Sequence, residues 1–380
     1  MWERFRLEPS KFALNLAVII IVALWTLPTA GLLISSLRDA NLIAASGWWT
    51  ALSTAERSAQ GRTKPTSDQV EQGGKFVISG NIFEGSEGGG VISAFGTRVA
   101  KPSEFPAGAT ASYDDGRTMT VNADGSYVYT SPVRLADGNG QRVFYVASVP
   151  PKFTTDNYRT VLFSEGIGQS FVNSLTVTIP ATIIPILIAA FAAYALAWMK
   201  IPGRAVMISV IVGLLVVPLQ MSLIPLLKLY NATGFLPKTY LGIWLAHTAF
   251  GLPFAIYLLR SYIAGLPRDL IESAQVDGAN DFKIFKRIIL PLTFPALASF
   301  AIFQFLWVWN DLLVAMVFLG TEKDKAVLTY QLNSLLGSRG GNWEILTASA
   351  FVTIIVPLLV FFSLQRYFVR GLLAGSVKGG

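Results

Sequence analysis

Six long apolar runs dominate the 380-residue sequence, at about 12–36, 169–198, 205–230, 240–262, 292–319 and 345–364. A run of roughly 20 apolar residues can cross the hydrocarbon core of a membrane, because a helix satisfies its own backbone hydrogen bonds there. The second and fifth runs exceed this length and leave room for tilt. With 52% hydrophobic and only 14% charged residues, the chain is predicted to be an integral membrane protein with α-helical spans.

Basic residues border these runs and divide unequally between the two sides of the predicted membrane. One set of flanks contains Arg4, Arg6, Lys11, Lys200, Arg204, Arg268, Lys283, Lys286, Arg287, Arg366, Arg370 and Lys378. The opposite short loops contain Lys238, Lys323, Lys325 and Arg339. Because short cytoplasmic loops are rich in lysine and arginine, both termini are predicted to be cytoplasmic. The first run exceeds the apolar core of a signal peptide and is predicted to remain as an anchor.

The polar segment between the first two runs, about 40–165, predicts a small β domain outside the cytoplasm. Stretches rich in Val, Ile, Tyr and Phe alternate there with Gly, Asn, Asp and Pro. These stretches are KFVISGNIF, GGVISAFGTRV, RTMTVNADGSYVYTSP and RVFYVASV. The Asp124 and Gly125 pair, followed by alternating Tyr127, Val128 and Tyr129, predicts a β-hairpin. Residues 53–75 are polar and are predicted to be a linker or disordered.

Two further loops lie on the outer side, at 231–240 and 321–344. The second is polar, ends in Gly340 and Gly341, and is long for a simple connector. It is predicted either to contact a partner or to be a solvated loop.

The longest cytoplasmic interruption, residues 264–291, predicts two short helices hinged at a glycine. Pro267 suits the first turn of a helix, and Asp269 and Glu272 lie near the N-terminal end of that helix, where its dipole is positive. Apolar residues repeat at helical spacing at Leu266, Leu270, Ile271 and Ala274. Gly278 then ends this helix.

The second predicted helix begins at Asn280 or Asp281, either of which can cap it. Its apolar face contains Phe282, Phe285, Ile288 and Ile289, and its basic face contains Lys283, Lys286 and Arg287. Pro291 marks the start of the next span. With its exposed acidic and apolar groups, the segment is either a passive surface helix or a docking site for a cytoplasmic partner.

The spacing of residues in this segment resembles the "EAA" loop of ABC importer permeases. The matching positions are Glu272, Ser273, Ala274, Gly278, Ile288, Leu290 and Pro291. Only Ser273 departs from the pattern, which has alanine there, and serine is small enough for a close helix contact. The resemblance implies that the loop binds a cytoplasmic ATPase and transmits ATP-driven movement to the spans.

This resemblance runs from about residue 169 to the C-terminus and is greatest to the smaller permease of maltose-type sugar importers. FLWVWNDLLVAMVFL at 305–319 and QRYFVRGLLAGSVKG at 365–379 also carry it. The β insertion departs from that type and resembles permeases of alpha-glucoside importers. The implied organisation is a tail and first span at 1–39, the insertion at 40–165, a permease core at 166–364 with a coupling loop at 264–291, and a cytoplasmic tail at 365–380.

The family implies the six-span type I ABC importer fold and import of sugars, alpha-glucosides or oligosaccharides, through the bacterial inner membrane. The implied partners are a second permease subunit, two ATPase subunits, an extracytoplasmic sugar-binding protein and membrane lipid. The loop at 321–344 matches a segment that reaches into the binding protein, with Asn333, Gly337 and Gly340 as contact candidates. The C-terminal tail matches one near the ATPase interface.

Several other chemistries are not expected from this chain. No G-x-x-x-x-G-K-[ST] motif occurs, so ATP and Mg are expected to be used by the partner ATPase, and no catalytic residue or cofactor is predicted here. His247 is the only histidine and the chain has no cysteine, so no metal site is predicted. His247 is expected to be packed and hydrogen-bonded. The basic residues form no stripe with aromatic residues, so nucleic acid is not a predicted partner.

Polar groups inside spans are costly in lipid and must face the bundle or a wet path. The candidates for a translocation path are Asn310, Asp311, Trp307, Gln304 and Gln220. Interhelical hydrogen bonds are the alternative role for Asn310 and Asp311, and a membrane-interface position is the alternative for Trp307. In maltose-type importers the other permease carries most of the membrane sugar site.

Two other functions fit part of the sequence. A secondary transporter normally places several ionisable residues inside its spans, whereas this chain offers essentially Asp311. A membrane-anchored sensor with an external β domain needs one anchor and leaves five spans unexplained. Both leave the pattern at 272–291 without a cause, so the sequence favours the ABC importer permease.

Overall fold

The computed structural model describes residues 9–84 and 89–376. The basic residues Arg4, Arg6 and Lys378 and the last part of the predicted tail lie outside the described residues. The chain forms two compact units that divide between Thr155 and Asp156.

The first unit combines one long apolar helix with two antiparallel sheets. Helix α1 is Pro9–Ser36 and α2 is Ala40–Ala45, and a 3₁₀ turn follows at Trp48–Thr50. The strands are β1 Ala55–Arg62, β2 Val70–Gln72, β3 Lys75–Asn81, β4 Val91–Gly96, β5 Phe105–Pro106, β6 Thr110–Ser112, β7 Thr118–Val121, β8 Ser126–Ser131 and β9 Arg142–Val149. The strand orders are β1-β9-β4-β5 and β2-β3-β8-β7-β6.

The predicted hairpin is present as β7 and β8. Gly125 has φ +83° and its N–H donates to the Asn122 carbonyl at 3.0 Å, which closes the turn. Tyr127 and Tyr129 are buried and Val128 between them is exposed, as the period of two in a strand requires. The two tyrosines belong to one apolar core with residues of both sheets, including Ile92 and Met119.

The prediction of a linker or disorder at 53–75 is wrong, because β1 and β2 lie there. All eight residues of β1 pair with β9, from Ala55 opposite Val149 to Arg62 opposite Arg142. A strand as polar as AERSAQGR has little apolar surface of its own to bury. Its order comes from the backbone ladder offered by the apolar strand β9, which local composition does not reveal.

The second unit is helical. Its helices are α3 Asp156–Phe163, α4 Ile167–Trp198, α5 Arg204–Leu215, α6 Leu219–Thr233, α7 Tyr240–Ala264, α8 Arg268–Val276, α9 Asp281–Ile284, α10 Leu290–Trp309, α11 Leu313–Phe318, α12 Leu328–Ser338 and α13 Trp343–Ser376. A π-helical turn at Phe285–Ile289 joins α9 to α10 without a break. Helix α13 continues through residues predicted as a separate tail, up to Ser376.

Five helices in the described part of the chain are long and apolar enough to cross a membrane. They are Lys11–Ser36, Ile167–Trp198, Tyr240–Ala264, Asp281–Trp309 and Trp343–Tyr367. The predicted third span is instead the pair α5 and α6, which meet at an angle of 106°. Pro218 lies at the bend and N-caps α6. The backbone of Pro218 is extended, with φ −63° and ψ 128°, and this non-helical residue separates the two helices.

The predicted fifth span, 292–319, is misplaced at both ends. The helix begins at Asp281, before the predicted start, and ends at Trp309. The remaining apolar residues form the separate helix α11. The Asp311 carboxylate stabilises this break, because it accepts hydrogen bonds from the N–H groups of Val314 at 3.3 Å and Ala315 at 2.9 Å in the first turn of α11.

We expect Gly125→Ala to destabilise the first unit more than Gly116→Ala. Both glycines have positive φ, so alanine costs about 1–2 kcal/mol at either position. A Cβ at Gly125 would also lie 2.5 Å from the Phe83 ring, whereas at Gly116 the nearest atom is a Pro132 carbon at 3.6 Å. Temperature-dependent proteolysis of the full chain measures the difference, and equal losses in the two variants would contradict it.

Candidate functional site

The first element of the candidate site is the hinged segment, defined as Arg268–Ile289. Helix α8 buries Ile271 and presents Glu272, Ser273 and Val276 outward, with Val276 87% exposed. The Ser273 hydroxyl donates to the Asp269 carbonyl at 2.6 Å and so stays on the helix surface. This face offers a carboxylate, a small hydroxyl and an apolar side chain to a partner.

Gly278 ends α8 in a Schellman motif. Its φ is +76°, the Ala279 N–H donates to the Ala274 carbonyl at 2.9 Å, and the Gly278 N–H donates to the Gln275 carbonyl at 3.0 Å. A Cβ added at Gly278 would meet no atom within 4 Å. Glycine is therefore needed here for its backbone conformation and not for close packing.

The second helix begins at Asn280, whose side-chain oxygen accepts from the Lys283 N–H at 2.9 Å. The Tyr194 hydroxyl of α4 donates to the Asp281 carboxylate at 3.2 Å. Because the helix runs on through the π turn into α10, Pro291 does not mark the start of the span as predicted. It lies inside one continuous helix.

The predicted apolar face of this helix is partly wrong. Phe282 is 63% exposed, whereas Ile284, which was not assigned to that face, is buried together with Phe285 and Ile289. A π turn takes more residues than an α turn, so the inward positions do not follow the 3.6-residue period. Phe282 consequently adds a large apolar group to the outer surface of the hinged segment.

The face of the hinged segment that is turned towards the other helices, its inner face, packs against the bundle. Ile271, Ile284, Phe285 and Ile289 belong to one buried cluster with residues of α4, α7 and α10. The Phe285 ring stacks on Phe191 with centroids 4.5 Å apart. Since burial of such a side chain contributes about 1.5–3 kcal/mol, four of them hold the segment as part of the bundle and not as a free loop.

The seven spaced residues therefore divide between two roles. Glu272, Ser273, Gly278 and Pro291 are exposed, and Ala274, Ile288 and Leu290 are half-buried. Glu272, Ser273 and Gly278 lie on the exposed surface before the span, whereas Ala274 and Leu290 pack against the buried cluster.

The candidates for a translocation path do not form one cluster. Gln304 is fully buried, and its amide donates to the Ala181 carbonyl at 3.2 Å. Gln220 and Asn310 are exposed, and Trp307 is half-buried. Among the described residues no hydrogen bond or ion pair joins any two of Gln220, Gln304, Trp307, Asn310 and Asp311.

Asp311 lies beside the one histidine of the sequence. The His247 Nε2 atom is 3.9 Å from the Asp311 carboxylate, and His247 is buried as expected. The expected hydrogen bonds are not present, since neither ring nitrogen has a partner within the described residues. Thr329 of α12 donates to the Asp311 carbonyl at 2.7 Å. In the described ranges no three metal-ligating side chains come together.

The loop at 321–344 contains helix α12, which the sequence analysis did not predict. Leu328 and Leu335 are buried, while the predicted contact candidates Asn333, Gly337 and Gly340 are exposed. The loop thus has a packed face and an open face.

Asn173 in α4 fixes this loop and was missed by sequence reasoning. Its amide donates to the carbonyls of Asp324 at 2.9 Å and Ala326 at 3.0 Å. Its oxygen accepts from Gln169 at 3.0 Å and from the Tyr240 hydroxyl at 3.1 Å. A polar residue within an apolar run was the only available signal, because its loop partners lie 151 and 153 residues away.

Ion pairs hold the rim of the loop. The Arg339 guanidinium lies 2.9 Å from the Glu165 carboxylate, and the Lys238 ammonium lies 2.7 Å from the Glu322 carboxylate. The hydrogen bond from Lys238 lowers the pKa of the Glu322 carboxyl from its ordinary value.

Three comparisons describe what the chain is similar to. The family model described as binding-protein-dependent transport system inner membrane component matches residues 169–373. The alpha-glucoside transport system permease protein AglG of Rhizobium meliloti is 66% identical over 379 residues, covering 99% of each chain. The osmoprotective compounds uptake permease protein GgtD of Synechocystis is 44% identical over 369 residues, covering 97% of this chain and 93% of the relative.

A solved structure shares the fold of the second unit. It is the crystal structure of a bacterial ABC transporter involved in the import of the acidic polysaccharide alginate. The match has a TM-score of 0.50 and 25% sequence identity, and covers 58% of this chain and 82% of that chain.

We expect Asn173→Ala to loosen the loop at 321–344, because two backbone carbonyls and the Tyr240 hydroxyl lose their buried partner. The loss is about 2–4 kcal/mol, since each net hydrogen bond contributes about 0.5–1.5 kcal/mol and unpaired groups add to the cost. The rate of proteolytic cleavage at Lys323 and Lys325, measured in membranes, reports this loosening and should rise. Asn333→Ala, at an exposed amide of the same loop, is the matched control, and equal cleavage in both variants would contradict the role of Asn173.

Proposed function

The chain belongs to the family of binding-protein-dependent transport system inner membrane components, and we propose that it carries alpha-glucosides or related sugars through the membrane. It is a multi-pass permease of an ABC transporter. The observation that carries the proposed substrate class is the 66% identity to an alpha-glucoside permease, which extends through both units.

The proposed assembly contains a second permease subunit, two ATPase subunits and an extracytoplasmic sugar-binding protein. ATP and Mg are used in the ATPase subunits and not in this chain. We count six spans, with the bent pair α5 and α6 as one, so both termini lie on the same side of the membrane. The excess of lysine and arginine in the flanks on that side favours the cytoplasm. The sheets between α1 and α3 then form an extracytoplasmic insertion.

The hinged segment is the proposed coupling site. Its outer face, with Glu272, Val276 and Phe282 exposed, docks on one ATPase subunit. Its inner face is packed into the cluster with α4, α7 and α10. Because side chains in such a cluster are close-packed, a push on the outer face moves the spans as a body, which a flexible loop cannot do.

The loop at 321–344, called the outer loop below, is the proposed contact with the sugar-binding protein. Asn333, Gly337 and Gly340 lie on its open face, and Asn173 holds its packed face. Asp311, Gln304, Asn310, Trp307 and Gln220 remain candidates for the path. Asp311 and Gln304 also have structural roles. The Asp311 carboxylate accepts hydrogen bonds from the first turn of α11, and the Gln304 amide donates to α4.

Gentle solubilisation of native membranes and capture of the tagged chain tests the assembly. We expect an ATPase, a second permease and a solute-binding protein to copurify, and the binding protein to bind an alpha-glucoside directly. Capture of the chain without an ATPase would contradict the importer, whereas a binding protein that prefers another solute would contradict only the substrate class.

We expect Glu272→Ala to lower ATPase affinity by roughly 10- to 150-fold, because a hydrogen bond to a charged group is worth about 1.5–3 kcal/mol. Gly278→Trp should also impair docking, since tryptophan disfavours the left-handed backbone and adds bulk to the surface. Both variants should still insert into the membrane. Copurified ATPase and sugar uptake measure the effect.

The matched controls are Gly278→Asn and Gln275→Ala. Asparagine tolerates positive φ better than other non-glycine residues, and Gln275 is an exposed neutral residue of the same helix. Both should retain most transport. Wild-type transport by Gly278→Trp would count against the coupling role.

A further inference from the structure

The chain turns back along α1 after that helix ends. The Trp48 indole lies against Gly31, where an added Cβ would be 2.7 Å from the ring. Gly31 precedes Ser36, the end of α1, by about 7.5 Å along the axis. The span Lys11–Ser36 has 26 residues and is about 39 Å long, against a hydrocarbon core of about 30 Å. Trp48 therefore lies near the depth at which the hydrocarbon meets the lipid headgroups.

Large apolar side chains are exposed close to the C-terminal end of α1. Trp49 is 75% exposed and Leu52 is 84% exposed, and Phe153 is exposed on the segment that leaves β9. Phe153 is held next to Arg38 by a backbone bridge, with the Thr154 N–H donating to the Leu37 carbonyl at 2.7 Å. We define Trp49, Leu52 and Phe153 as the interfacial pad.

A buried arginine donates hydrogen bonds to the backbone carbonyls near the pad. The Arg38 guanidinium donates to the carbonyls of Leu42 at 2.9 Å, Ser46 at 3.0 Å and Gly47 at 3.0 Å, and to the Ser46 hydroxyl at 2.7 Å. Arg38 is itself only 3% exposed. In a solvated loop, water would satisfy these acceptors. Hydrogen bonds from Arg38 to these carbonyls are what a site with little water requires.

We propose that the interfacial pad inserts into the lipid leaflet at the C-terminal end of α1. The apolar surface of α1 is exposed over most of its length and continues to Leu33, beside the turn that contains Trp48. Tryptophan favours this depth because its ring is apolar and its N–H can reach the headgroups. Lipid thus covers the pad and α1 as one surface.

The pad lies at both chain connections to the sheets. The chain enters β1 three residues after Leu52, and it leaves β9 through Phe153. Anchoring of these two points in lipid holds the sheets at a fixed height above the membrane. This inference concerns the membrane and does not depend on the sugar or on the ATPase.

Spin labels test the proposal, since the chain has no cysteine and single cysteines can be introduced without background. Full-length Trp49→Cys and Leu52→Cys variants are labelled in liposomes, and collisions with oxygen and with a water-soluble nickel chelate are measured. Leu24→Cys in α1 is the lipid control, and Val99→Cys and Val133→Cys in the sheet unit are the water controls; all three parent side chains are exposed.

We expect the labels at 49 and 52 to collide more with oxygen than with nickel, as at 24, and the labels at 99 and 133 to show the reverse. Nickel-dominated collisions at 49 and 52 would overturn the proposal in favour of a solvated loop. Immobilised spectra with few collisions of either kind would overturn it in favour of a protein cover, such as a second permease chain.

Discussion

The packing of Ile271, Ile284, Phe285 and Ile289 against α4, α7 and α10 is the contact on which the proposed mechanism depends. It makes an exposed, charged segment part of the membrane bundle. Without this cluster, Glu272 and Val276 would lie on a mobile loop. A partner could then bind them without moving any span. With it, a force on the outer face reaches three long helices directly, because close-packed side chains transmit strain.

At the opposite end of the second unit, polar contacts add to the burial of Leu328 and Leu335. Asn173 and Ser174 of α4 fix the loop at 321–344, with the Ser174 hydroxyl accepting from the Leu328 N–H at 2.8 Å at the start of α12. The same helix α4 thus carries Phe191 against the hinged segment and Asn173 against the outer loop. One helix of 32 residues joins the two proposed docking surfaces and can couple them mechanically.

Five of the six apolar runs contain a helix long enough to cross a membrane, and the sequence analysis did not find where the helices break. Apolar length is a property of many residues, whereas the bend at Pro218 and the helix end before Asp311 depend on single backbone groups. The strand β1 was missed because its order comes from β9 and not from its own polar residues. In the candidate site, the spacing from Glu272 to Pro291 predicts a docking surface, and this stays a prediction. The Gly278 hinge has the positive φ that glycine allows. The spacing could not show which apolar residues face inward, since the π turn shifts Phe282 out and Ile284 in.

The central claim, that the hinged segment and the bundle move as one body, can be tested by one distance. Cysteines at Gln275 and Ile188, both exposed positions, carry a pair of spin labels in the assembled transporter, where this chain contributes no other cysteine. Double electron–electron resonance is then compared without nucleotide and with trapped ATP. We predict one narrow distance distribution that is the same in both states. A broad distribution, or a shift of its maximum on ATP binding, would contradict rigid coupling and show that the segment moves independently of α4.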